Sequence, residues 1–598
     1  LAQDRETAFM TPPSIRRGTL PPHASGNAAA DRILERFRQE RAWMARLPQL
    51  PPAAATLLAA RAAGSFLHLL PAAERATAQL HPTVAAFARL GGDIPPIAQL
   101  TSFWRLLTTA TGDHAEAPDL AALHIVDRLW PMATATEQLL VQGGDDRLAL
   151  DPATAQNRYL CTPWPQPDII SFSSCTASSI SPAALHEAEQ ARRNLFAACL
   201  ATPQDTVLAR ASDDIGAALL AHFGVSDSAE AVLAASGTDA TLLLTGLFAA
   251  ERPRETLTTI LMSPAETGSG VPDAVQGCHF AACTAAGVAV EKGGAVEGFP
   301  PGLSMASIAL RSADGQPRHP NDIAADCESA IDAAVSRGHA VLHAIDGSKT
   351  GLAAPHLMAL DLLAERFGGR LDIVIDACQL RVEPQTVRLY LERGWPVLVT
   401  GSKFFGAPGF CGAILFPRAR LRRITGTGRV PDGLGAYTNV ADRTLSRRCP
   451  GLLLRWSAAL MQMHRFAKMP ARDIAHAIDT AGAHARAAMM RENFIALMPA
   501  PRPRHGAWSH RPSVLTFAVR RPDGFLSAAD LRPLYLALAA KGCIIGQPVQ
   551  LGSPAIGGLR IALSAAQLAA GGSLRGELSH VFYTLRMLVE KKKEAVLF

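Results

Sequence analysis

The chain has 598 residues, 48% of them hydrophobic and 18% charged, with a mean hydropathy of +0.12. At about 150 residues per domain this leaves room for up to four domains, or for a two-lobed enzyme with an extension, and it excludes a mostly disordered chain. The net charge of +6 comes from 58 basic and 52 acidic residues dispersed along the sequence, which is too diffuse for a nucleic-acid footprint.

The lysines at 591–593 are a concentrated basic run and read as a solvated tail. No apolar run reaches the roughly 18 residues of a membrane span; the stretch 242–250 is broken by Thr245 and Gly246. Neither nucleic acid nor membrane is an expected partner. The opening residues do not lead a basic segment into an apolar one, so no secretory signal is expected there. Ten cysteines without a Cys-x-x-Cys pair fit reduced thiols in a cytoplasmic setting. No metal site is expected: His339 and His343 fall in a strand pattern, where positions four apart are separated by about 13 Å.

In chain order, residues 1–155 read as a helical extension with Pro-rich joints. Apolar residues recur at helical spacing over 31–47 (Ile33, Leu34, Phe37, Trp43, Met44 and Leu47), and Pro48, Pro51 and Pro52 close the run. Packing or dimerisation is its expected role. The segment Thr162-Pro163-Trp164-Pro165-Gln166-Pro167 marks a boundary, and a large domain is expected over 156–425. Within it the apolar runs 231–235, 258–262, 340–345, 371–375, 397–400 and 413–416 are separated by helical segments such as 322–336 and 359–367. Strands this apolar between helices predict an α/β fold with a mostly parallel sheet covered on both faces. From 426 to 598 a long helical region at 452–489, a strand at 513–519, a helix near 526–541 and a strand at 559–563 predict a smaller α+β domain.

Ligands of such sheets sit at the C-terminal ends of the strands. After 231–235 comes Ser236-Gly237-Thr238-Asp239-Ala240 and then a helix, a turn able to cradle a phosphate or simply to cap the helix. After 371–375 comes Asp376-Ala377-Cys378-Gln379, and a carboxylate at the end of an apolar strand asks for a cation or good donors. After 397–400 comes Gly401-Ser402-Lys403-Phe404-Phe405-Gly406, which places a lysine where imine chemistry is possible. Lysine is rare here: eight of 58 basic residues, five of them (Lys292, Lys349, Lys403, Lys468 and Lys541) away from the terminal run. Lys468 and Lys541 fall at helices, Lys292 precedes a Gly pair, and Lys349 precedes the carboxylate strand.

Together these residues resemble the fold-type I pyridoxal-phosphate enzymes, and among them the class V aminotransferase and cysteine desulfurase superfamily, over about residues 165–565. Lys403 follows Asp376 by 27 positions. The resemblance implies a pyridoxal 5'-phosphate cofactor, an amino-acid substrate, and a homodimer. It implies that Lys403 carries the Schiff base and shuttles the Cα proton, that Asp376 pairs with the pyridinium nitrogen, and that Gln379 bonds the ring O3′. Ser236, Gly237, Thr238, Ser402 and Thr400 would surround the phosphate. Ser348, in Ser348-Lys349-Thr350-Gly351, falls where a substrate or O3′ contact is expected, which leaves Lys349 an incidental loop lysine.

Arg560, in Gly557-Gly558-Leu559-Arg560, falls where the substrate carboxylate is clamped; a surface-strand arginine is the alternative. The segment 171–182 would pass the substrate side, and Tyr437, Thr438 and Asn439 would reach a phosphate across a subunit boundary. Two departures stand out. The His that many members stack on the cofactor ring is missing, so Glu266 or Thr267 would cover it, and the extension is longer than usual.

Transamination is the first reading of function. Side-chain elimination or decarboxylation is the alternative, and a catalytically inactive cofactor-binding scaffold a further one. A cysteine desulfurase of the usual kind is not expected. The resemblance implies that its persulfide Cys would stand about fifteen residues before the carboxylate Arg and about three before a Pro, and both counts land on Ile545, two residues from Cys543.

Overall fold

The computed structural model describes residues 27–112, 116–437, 449–499, 506–572 and 574–596. Contacts divide the chain into two compact units, Leu1–Arg128 and Leu129–Phe598.

The first unit is helical. Its opening helix, Ala28–Met44, begins earlier than the apolar spacing predicts because the Asn27 side chain accepts from the Ala30 N–H at 3.0 Å, which satisfies an otherwise orphaned donor. Ile33, Phe37 and Met44 face inward. The following helix, Pro52–Leu69, is buried almost throughout. It packs closely enough at Gly64 that an added Cβ would lie 2.2 Å from the Phe87 carbonyl oxygen.

The strands of the second unit are β1 (Ile170–Phe172), β2 (Ala229–Ala234), β3 (Leu257–Met262), β4 (Leu303–Ile308), β5 (His339–Asp346), β6 (Ala353–Ala354), β7 (Leu371–Ala377), β8 (Val397–Thr400), β9 (Gly412–Pro417), β10 (Ile495–Met498), β11 (Val514–Arg521), β12 (Gly524–Phe525), β13 (Cys543–Leu551) and β14 (Ser553–Ala562). The large sheet runs β2-β9-β8-β7-β5-β3-β4, with β6 paired to β5. Strands β4, β3, β5, β7 and β8 are parallel neighbours; β9 is antiparallel to both β8 and β2. All eight residues of β5 are buried, as expected for a strand with both faces covered. Val341, Val374, Leu398 and Ile414 share one core with Leu242, Leu243 and Phe248 of the helix Gly237–Glu251. This is the α/β architecture with a mostly parallel central sheet that the apolar runs predict.

The smaller sheet runs β1-β13-β14-β11-β10, with β12 on β11. Its first strand comes from well before the large sheet in sequence and pairs in parallel with β13, Ile170 opposite Cys543. The predicted helical region 452–489 is two helices, Pro450–Ala467 and Ala471–Met490. Pro470 between them, in extended geometry and without an N–H, separates the two helices. β13 carries no simple alternation because its register against β14 shifts between Gly546 and Val549, around Pro548.

Residues 129–155 pack into this unit. The fully buried Arg455 donates to the carbonyl oxygens of Phe410 (2.6 Å), Leu140 (3.0 Å), Gln142 (2.6 Å) and Gly143 (2.8 Å), tying this segment to the loop before β9.

Candidate active site

The parallel strands deliver their C-terminal residues to one side of the large sheet, and one pocket collects them. All ten residues predicted from the sequence, Ser236, Gly237, Thr238, Ser348, Asp376, Gln379, Thr400, Ser402, Lys403 and Arg560, line it. Of the five internal lysines, Lys403 and Lys349 reach it and the others do not.

At one end, Ser236 caps the helix Gly237–Glu251: its Oγ accepts from the N–H groups of Thr238 (3.2 Å) and Asp239 (3.3 Å). The turn is tightly enclosed. A Cβ on Gly237 would sit 2.6 Å from Cys378 Sγ, and one on Gly412, at the start of β9, 2.6 Å from the Ser236 carbonyl. Arg147, which the sequence reading did not single out, reaches the same turn, 3.4 Å from Ser236 Oγ. Asp145 holds it through two bonds (Nε 2.8 Å, Nη2 2.6 Å), and it stacks over Phe410 at 4.8 Å. Burial works to lower the Arg147 pKa, but the Asp145 carboxylate outweighs it and the group stays charged. Burial, and then Asp145, push the Asp239 carboxyl up to about 7. No motif marks Arg147, because it lies in the stretch read as a helical extension.

In the middle of the pocket, Asp376 stands at the C-terminal end of β7 and Lys403 just after its parallel neighbour β8. Asp376 Oδ1 accepts from the Cys378 N–H at 3.0 Å, which fixes the carboxylate. Thr400 Oγ1 donates to the Cys378 carbonyl at 2.6 Å, so this hydroxyl braces the two strand ends. Behind Asp376 lies His343, pushed by burial down to about 4 against the pull of that carboxylate, and therefore a neutral imidazole. Gln379 donates to the Cys175 carbonyl at 3.0 Å, with its own oxygen turned toward Arg381.

Lysine and carboxylate thus flank one cavity at the C-terminal edge of a sheet whose order and directions are now established. This is the arrangement that the resemblance to the fold-type I pyridoxal-phosphate enzymes implies.

On the other side of this pocket two expectations change. Ser348 Oγ donates to Glu266 (2.7 Å) and accepts from the N–H groups of Leu352 (3.0 Å) and Thr350 (3.2 Å). A hydroxyl has one donor and two acceptor sites, so Ser348 has none left for a substrate and instead folds its own loop. Glu266 is likewise committed: it is buried, pairs with Arg311 at 2.9 Å and accepts from Thr350 Oγ1 at 2.7 Å. That leaves Thr267 to face the cavity, with a buried Oγ1 that has no hydrogen-bond partner among the described residues. Tyr437 is buried and bonds His279 Nδ1 at 2.5 Å, which turns its hydroxyl into its own unit; Thr438 and Asn439 lie outside the described residues.

No family model matches the chain, and no curated protein matches it. Among solved structures the chain is similar to a NifS-like protein (12% identity over 71% of this chain and 99% of that one, TM-score 0.46). It is similar to the cysteine desulfurase CsdA from Escherichia coli (14%, 71% and 96%, 0.45) and to TDC from Oryza sativa with PLP (16%, 71% and 84%, 0.45).

Proposed function

We propose that the chain binds pyridoxal 5'-phosphate and breaks the Cα–H bond of an amino acid, as an aminotransferase. The observation that carries this reading is the placement of Lys403 and Asp376 at the C-terminal ends of adjacent parallel strands, on one cavity with the Ser236-Gly237-Thr238 turn at its end. The cavity suits such a group: Thr267 Oγ1 is a buried polar atom in want of a partner, and the turn offers helix N–H groups together with Arg147.

Ser236, Gly237, Thr238, Ser402 and Arg147 would hold the phosphate, Asp376 the ring nitrogen and Lys403 the aldehyde carbon, with Gln379 and Thr267 at the ring. When bound, the cofactor supplies an electron sink for charge developing at the substrate α-carbon. The chain's own residues do the rest. Lys403 Nζ takes the α-proton and returns it. The Asp376 carboxylate, oriented by the Cys378 N–H, keeps a positive charge favourable opposite it.

Elimination or decarboxylation is the second reading, and one observation favours decarboxylation: Arg560, the expected carboxylate clamp, already donates to two carbonyl oxygens. A desulfurase reading has less support, because Cys543 is buried in β13 and does not line the pocket.

The test is reconstitution with the cofactor, borohydride trapping with peptide mass mapping, and product analysis after incubation with the standard amino acids. A trapped adduct on Lys403 that is lost in Lys403→Ala, with a keto acid as product, is the expected result. An unchanged adduct in Lys403→Ala would sink the assignment, and an amine product would move the enzyme to decarboxylation.

A further inference from the structure

Two cations share the substrate half of the pocket, Arg560 and Lys349, and their hydrogen bonding differs. Arg560 is 1% exposed. Its Nη1 donates to the Lys349 carbonyl oxygen at 3.2 Å, and its Nη2 donates to the Gln547 carbonyl oxygen at 2.5 Å and to Thr176 Oγ1 at 3.3 Å. Nε is buried without a partner, but it abuts Gly546, where an added Cβ would lie 3.0 Å away. A bidentate clamp needs two N–H groups free along one edge of the guanidinium. Both edges include Nη2, whose two hydrogens are taken, so Arg560 presents no such pair.

Lys349 is the opposite case. Its side chain lines the pocket, and its ammonium has no hydrogen-bond or ion-pair partner among the described residues. The charged and titratable groups that face it are Arg560, Lys403, Glu266 and Cys175. Glu266, the one carboxylate in that set, is closed off by Arg311, Ser348 and Thr350. Burial first, and then Arg560 and Lys403, bring Lys349 down to about 8. An ammonium in this position is short of an anion, and the loop carrying it is held rigid by Ser348 and by Arg560 itself.

We propose that Lys349 binds the substrate α-carboxylate, and that Arg560 is a positioning residue that holds the Lys349 backbone in place. This rests on the reading of the pocket as a pyridoxal-phosphate amino-acid site. A lysine holds a carboxylate as a point charge and not as a planar fork, so the direction of the substrate is set jointly with the walls. Because the charge on Lys349 falls away above about pH 8, carboxylate binding weakens there.

The experiment uses the reconstituted full chain. The probes are the standard amino acids and their matched amines lacking the carboxylate, followed by the change they cause in cofactor absorbance. For the amino acid with the largest response, Lys349→Gln raises the half-saturating concentration about 10- to 100-fold, the worth of a charge-assisted hydrogen bond. The same variant leaves the matched amine within about twofold. Lys349→Arg recovers most of the loss, and the wild-type rise in half-saturation above pH 8 is absent from Lys349→Gln.

Unchanged amino-acid binding in Lys349→Gln overturns the proposal, as does an equal loss for acid and amine, or the absence of a response to any amino acid. Borohydride trapping separates the two levels. An adduct on Lys403 in both wild type and Lys349→Gln keeps the cofactor reading whatever the binding result, whereas no wild-type adduct defeats that reading and the proposal with it. An adduct on Lys349 overturns the proposal alone and reassigns that lysine.

Discussion

The Arg147 guanidinium lies 3.4 Å from the hydroxyl of Ser236, the residue that caps the helix Gly237–Glu251. A cation and a helix N-terminus thus converge on one small turn, an arrangement that favours an anion there. Two neighbouring acids, Asp145 and Asp239, partly offset it, and Asp145 also fixes the direction of the guanidinium. Replacing Arg147 with Met is expected to weaken pyridoxal-phosphate binding about 10- to 100-fold, measured by equilibrium dialysis, while pyridoxal without the phosphate binds the variant and the wild type alike. Equal losses for both ligands would remove Arg147 from the phosphate.

Asp376 offers a test of the chemistry as distinct from binding. Its carboxylate is held by the Cys378 N–H at 3.0 Å and backed by a neutral His343, so the negative charge faces the cavity. Asp376→Asn keeps the shape and removes the charge. The variant should fold, retain cofactor, and turn over amino acids slower by a factor on the order of 100 or more, since a pyridinium without a counter-charge loses its proton. Turnover close to wild type would contradict the role given to Asp376.

The large sheet and most of this pocket are legible in the sequence because buried parallel strands are short apolar runs, and their last residues necessarily share one edge. Ser236, Asp376 and Lys403 each follow such a run. What is not legible arises from contacts between distant segments. Arg147 reaches the turn only because Arg455 gathers the carbonyl oxygens of residues 140, 142, 143 and 410. Ser348 reads as a ligand, yet Glu266, 82 positions earlier, takes its hydroxyl. β1 joins a sheet whose partner strand lies far along the chain, and the bulge at Pro548 hides β13 from a two-residue period.

Cys543 offers a test of the desulfurase reading. The thiol is 1% exposed, and burial pushes its pKa up, which keeps it protonated and a poor nucleophile. It also sits away from the pocket, which β13 lines at Gln547, Pro548 and Val549. Incubation with cysteine is expected to leave no persulfide on Cys543, read by alkylation and peptide mass, and Cys543→Ala should change amino-acid turnover less than about twofold. Sulfide release that disappears in Cys543→Ala would place the protein among the desulfurases instead.

Asp239 ties the turn to stability. Burial and Asp145 hold its carboxyl at about 7, against 3.8 for the free group. Between those values the native chain binds more protons than the unfolded one, so stability falls as pH rises from about 4 to about 7 and is level above. At 1.36 kcal/mol per unit the effect is bounded at about 4 kcal/mol. Asp239→Asn removes the titration, because an amide stays neutral and can still accept from Ser236. Urea unfolding of the cofactor-free protein should therefore show the variant gaining on wild type between pH 5 and pH 8. If the two stability curves run parallel across that interval, Asp239 is ionised in the native turn at both pH values, and the turn carries one more negative charge than its burial allows.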